Sequence, residues 1–63
     1  MNLVLITYIV DTEIHNEAWI NPNEILSIEE LRKDTLIKFT NGQRMYTEER
    51  AKELVNRIRA VTA

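Results

Sequence analysis

The sequence predicts an α+β domain: a curled antiparallel β-sheet of four to five strands with one C-terminal amphipathic helix packed across it. Three observations predict it. Asn41-Gly42 separates two β-prone runs, Leu36–Thr40 and Gln43–Tyr46, which is the strongest short-range hairpin signal. Ala51, Leu54, Val55 and Ile58 recur at i, i+3, i+4 and i+7, one apolar stripe of a helix. Leu3–Val10 is a near-continuous run of β-formers.

Taken in order, that first run is apolar on both faces. Leu3, Leu5 and Ile9 point one way; Val4, Ile6, Tyr8 and Val10 point the other. Such a strand is covered on both sides, and one helix covers only one face of a sheet. The second face is expected either to curl into a barrel-like roll or to meet another chain. Val4, Ile6 and Tyr8, with the sole tryptophan Trp19, are the candidate protein interface, because Trp is enriched at binding hot spots. Ordinary core packing is the competing reading of all four. Asp11–Asn16 reads as a polar loop and Glu17–Ile20 as a short second strand. Asn21-Pro22-Asn23 is a turn, with φ pre-set by Pro22. Ile25–Glu29 is a third strand with Leu26 and Ile28 facing in, and Leu31–Asp34 connects it to the hairpin.

A two-residue type I′ turn at Asn41-Gly42 requires φ > 0 at both residues. It sets Thr40 opposite Gln43, Phe39 opposite Arg44, Lys38 opposite Met45 and Ile37 opposite Tyr46. Ile37, Phe39 and Tyr46 are then expected on the buried face, with the stem of Arg44 laid over Phe39. Leu36, Lys38 and Met45 take the other face. Thr47 is expected to N-cap the helix, with Glu48 and Glu49 in a first turn where the macrodipole favours acids. Glu48–Lys52 and Glu53–Arg57 are i,i+4 pairs in the favourable order. The stripe is expected to meet Ile37, Phe39, Leu26 and Ile28, and Val61–Ala63 to fray.

Residues 1–63 make one small domain. A chain of this size buries only about 60% of its unfolded surface. With no cysteine, neither a disulfide nor a thiolate metal site can staple it, so a homodimer is the most available extra support. No segment has transmembrane length, and Leu3–Val10 lacks the basic flank and cleavage site of a signal peptide. A cytoplasmic home is expected. Net charge is −2, unevenly spread. Residues 1–31 carry acids and no Lys or Arg, and every basic side chain lies from Arg32 onward. Either the halves complement each other or the basic half meets an acidic partner.

The stretches Ile20-Asn21-Pro22-Asn23-Glu24-Ile25, Ile28-Glu29, Asp34-Thr35-Leu36-Ile37, Thr40-Asn41-Gly42 and Thr47-Glu48-Glu49 carry a pattern. Over Trp19–Ile58 it resembles the small flagellar accessory proteins of the FlbD/SwrD type. That family has a similar length, an Ile-Glu strand, an Asp-Thr turn, a Thr-Asn-Gly hairpin and a C-terminal helix. It tends to carry a Leu-Asn-Gly hairpin near its start, where this chain has Asp11–Asn16. The resemblance implies a bacterial or phage protein with a non-enzymatic accessory role, acting through protein contacts.

The residues offer little chemistry. His15 is the only histidine, flanked by Glu13 and Glu17, and is expected to be solvated rather than a cation ligand. Ser27 is the only serine and has no partner for a nucleophilic triad. Glu29 and Glu30 are strand neighbours that point apart. Gly42 is the only glycine, so no phosphate-cradling loop forms. No catalytic residue, metal site or cofactor is expected. The function these features favour is a small protein-binding or regulatory module, not an enzyme, working as a homodimer without membrane insertion. The alternative is a nucleic-acid-binding regulator using Lys38, Arg44, Arg50 and Arg57, against which stand the acidic net balance and the interleaved Glu48, Glu49 and Glu53.

Overall fold

Five strands and one helix follow each other in the computed structural model, which describes residues 2–62. They are β1 (Val4–Asp11), β2 (Ile14–Ile20), β3 (Ile25–Glu30), β4 (Thr35–Phe39), β5 (Arg44–Thr47) and α1 (Ala51–Thr62). β1 and β2 form a two-stranded antiparallel sheet, and β3-β4-β5 a three-stranded one. The α+β class and the strand count agree with expectation; the curled sheet is two adjoining sheets and not a closed barrel. β1 lies beside β5, where the Thr47 hydroxyl donates to the Thr7 carbonyl at 2.7 Å. The helix crosses at β1 and β3.

The core lies between the two sheets and the helix. Val4, Ile6, Ile37, Phe39 and Leu54 are buried in one cluster, with Ile20, Ile25, Ile28, Met45, Ile58 and Val61 packed around it. Leu54 and Ile58 of the helical stripe therefore dock as their spacing predicts, while Ala51 and Val55 are half-buried at its margin. Val61 belongs to the packed helix rather than to a frayed tail, and Ala63 lies outside the described residues.

The central hairpin is one residue longer in its loop than expected. Gly42 N–H donates to the Phe39 carbonyl at 3.0 Å and Phe39 N–H to the Gln43 carbonyl at 2.9 Å. Among the described residues only Gly42 has positive φ, +90°. This is a three-residue loop, Thr40-Asn41-Gly42, with the glycine in the bulge position that follows a type I turn. Leu36 now faces Tyr46, Ile37 faces Met45 and Lys38 faces Arg44. A one-residue slip exchanges the faces of the returning strand. Met45 turns toward the core, Tyr46 is 38% exposed, and Arg44 stands beside Lys38 instead of over Phe39. Nothing lies within 4 Å of a Cβ built on Gly42. Gly42→Ala is thus expected to cost only the left-handed backbone penalty, about 1–2 kcal/mol, read as a lower urea midpoint with an unchanged slope.

Two other segments depart from expectation. Asp11–Asn16 is not a loop: β1 runs to Asp11, and Thr12-Glu13 turns directly into β2. With no positive φ there, the turn is not of the primed type, and the irregularity between Ile9 and Asp11 absorbs the mismatch in twist. In β3 a similar irregularity lies between Ile25 and Ser27. Ile25 and Ile28 face the core, while Leu26 falls on the bulge and is 69% exposed, so it does not meet the helix.

The helix begins at Ala51, and Thr47 ends β5 instead of capping the helix. Thr35 and Thr47, directly opposed and fully buried, hold the junction. Thr35 Oγ1 donates to the Glu49 carbonyl at 2.6 Å, and Glu49 N–H donates to Thr47 Oγ1 at 3.2 Å. The cap comes from a distant strand, since Ala51 N–H donates to the Glu30 carboxylate at 3.3 Å. An acid suits that position twice, by hydrogen bonding and by opposing the helix dipole.

Candidate functional site

Trp19 is the feature that most needs a purpose. It sits on β2 across from Leu5 and is 65% exposed. Large aromatics exposed to this degree lose the benefit of burial, which is worth more for Trp than for most side chains. Beside it lies a cleft of about 310 Å³, between the end of β2 and the tip of the β4–β5 hairpin. Ile20, Phe39 and Met45 give it an apolar lining, and Asn21, Glu24, Asn41 and Gln43 supply polar groups. These positions are held firmly. Asn21 caps the single 3-10 turn Pro22–Glu24, its side chain accepting from Asn23 N–H at 3.0 Å. Thr40 donates through its backbone to the Glu24 carbonyl at 2.9 Å and through its hydroxyl to the Glu24 carboxylate at 2.7 Å. Asn41 Oδ1 accepts from Gln43 N–H at 2.9 Å. The cleft is a fixed apolar recess with amides at its rim, suited to holding a side chain of another molecule.

The remaining interface candidates are separated from Trp19. Val4 and Ile6 are buried in this chain's own core, on the face of β1 opposite Leu5, and Tyr8 is half-buried. Val4 and Ile6 are therefore covered by the chain's own sheet and helix, the competing reading of a two-faced strand, whereas Tyr8 is covered only in part.

The four basic candidates do not form one face. Arg57 is held by the Glu49 carboxylate and donates to the Leu5 carbonyl at 2.6 Å. Its partner is not Glu53, because the helix starts late and leaves Glu49 free to reach back. Arg50 pairs with Glu30 at 3.3 Å and donates to the Leu31 carbonyl at 3.1 Å. Lys38 and Arg44 stand side by side on the outer face of the three-stranded sheet.

His15 lies within β2, where its Nε2 meets the Glu48 carboxylate. That contact replaces the expected Glu48–Lys52 pair and ties the first hairpin to the β5–α1 junction. A shallow recess of about 310 Å³ adjoins it, lined by Ile9, Thr12, Lys33 and Asp34. Among the described residues there is no group of three or more His, Asp or Glu placed to hold a metal ion, and no helix is long and apolar enough to cross a membrane.

Among the described residues one ionisable group is clearly shifted. The hydrogen bond from Arg50, the Ala51 N–H and the Arg50 charge hold the Glu30 carboxyl below its ordinary value. A depressed folded-state pKa adds stability above the unfolded pKa and loses it as pH falls through the folded value. Glu30→Gln is therefore expected to lower the melting temperature at neutral pH. The gap from the parent should close as pH falls through the ordinary carboxylate range and then through the lowered folded-state value, measured by thermal unfolding at stepped pH.

Sequence reasoning missed the buried Thr35–Thr47 pair and the Glu30 cap. The first was available in principle: Thr35, Ile37 and Phe39 alternate onto one face of β4. The second depends on contact between residues far apart in the chain, which leaves no local signal.

The family model FlbD, described as flagellar and swarming motility proteins, matches residues 9–63. The match begins ten residues before the Trp19 start of the resemblance and takes in the first turn. No curated protein and no solved structure gives a match.

Proposed function

The chain belongs to the FlbD family of flagellar and swarming motility proteins, and from that membership we propose that it is a non-enzymatic accessory module that binds another protein through the Trp19 cleft. The observation that carries this reading is the exposed indole beside a rigid apolar recess. An aromatic anchor next to a pocket is the usual make-up of a binding hot spot. Two of the four candidate nucleic-acid contacts, Arg50 and Arg57, are engaged within the chain and the other two lie apart from them, which supports a protein partner over nucleic acid. The outer face of the β1–β2 hairpin, with Leu3, Leu5 and Trp19, also suits a second copy. Sedimentation at several concentrations tests the homodimer, and concentration-independent monomer would remove it.

Trp19→Ala is the direct test. It is expected to leave the melting temperature within a few degrees of the parent, because the indole is mostly solvated. It is expected to reduce swarming when it replaces the parent gene in the source bacterium. Full motility with Trp19→Ala at normal protein levels would defeat the cleft as the working surface.

A further inference from the structure

We infer that the outer face of the three-stranded sheet is a second docking surface, and that its occupant is an acidic segment of a protein partner. Lys38 and Arg44 are direct cross-strand neighbours on β4 and β5. Like charges so placed have Cβ atoms about 4.5–5.5 Å apart and repel. The acid in the adjoining row is Glu29, opposite Leu36, and it forms no ion pair with either cation. Here the ion pairs and side-chain hydrogen bonds among the described residues involve neither cation. The flanking position on β3 is Ser27, which carries no charge.

The neighbours of this pair also suit a peptide. Tyr46 lies on the same face as Arg44, two residues along β5, and covers the buried Leu36 opposite it. Leu26, on the adjacent bulge, is 69% exposed. Two cations beside an exposed aromatic and an exposed leucine match a short segment with one or two carboxylates and an apolar side chain. A polyanion fits worse. A phosphate backbone running over the sheet would meet Glu29, which shares this face one row on, and the chain's net charge of −2. This face is distinct from the Trp19 cleft, because Phe39 and Met45 of that cleft point to the other side of the same strands. The inference holds whether or not the cleft is used.

The test is selection of a displayed random-peptide library on the full chain, followed by binding of the enriched peptides to variants. Enriched peptides are expected to carry Asp or Glu next to an aromatic or aliphatic residue. Lys38→Glu/Arg44→Glu should weaken them by roughly tenfold or more, while Trp19→Ala leaves them unchanged. Lys38→Gln/Arg44→Gln guards against misfolding: neutralising the pair relieves repulsion, so it should raise the melting temperature and still lose the peptides. Absence of acidic enrichment, or binding indifferent to both double variants, would overturn the inference. So would an oligonucleotide that displaces the peptides with a steep salt dependence.

Discussion

Leu54→Asp is expected to abolish cooperative unfolding altogether. Leu54 is fully buried among Val4, Ile6, Ile37 and Phe39, so a carboxylate there has neither water nor a partner. The milder Leu54→Ala is expected to cost about 2–5 kcal/mol through lost transfer energy and the cavity left behind. A core in a chain this small rarely supplies more than about 3–5 kcal/mol. Even the alanine variant should therefore be largely unfolded at room temperature. Far-UV circular dichroism during heating checks both. A native-like transition in Leu54→Asp would mean that the helix is not docked and that the cleft and sheet faces described above lack their support.

The second large effect is expected at Thr47. Its hydroxyl donates to Thr7 of the neighbouring sheet and accepts from Glu49 at the start of the junction. Thr47→Val keeps the shape and removes both bonds, leaving buried polar groups unpaired at a cost of about 1–3 kcal/mol. Thr47→Ser keeps the hydroxyl and should recover most of that loss. Urea unfolding of the pair separates the hydrogen bond from the packing, and equal midpoints for valine and the parent would show that the hydroxyl does not join the sheets. The neighbouring residues explain why this point is sensitive. Glu48 reaches His15, Glu49 reaches Arg57, and Arg50 reaches Glu30. Together they convert four residues that read as a first helical turn into a junction held by tertiary contacts.

The two hairpins illustrate a shared limit. At Thr40-Asn41-Gly42 the glycine correctly marks a turn, but two- and three-residue loops both use it, and they differ by one step of register. That step decides whether Met45 or Tyr46 faces the core. At Asp11–Asn16 every residue but Ile14 is polar, so there is no alternation to distinguish a solvated strand from a loop; pairing with the apolar β1 resolves it. Leu26 shows the same limit in β3, since a bulge changes the count without any change in composition.

Local periodicity by itself determined the α+β class, the position of the hairpin and the apolar stripe centred on Leu54, because each depends on residues within a few positions of one another. Only the tertiary structure decided the register of β5, the late start of the helix under Glu30, the burial of Val4 and Ile6, and the separation of Lys38 and Arg44 from Arg50 and Arg57. The register turns on one residue of loop length that the glycine alone does not settle; the other features are set by distant partners, such as Arg57 with the Leu5 carbonyl fifty-two residues away, and chain order carries no record of which distant groups will meet.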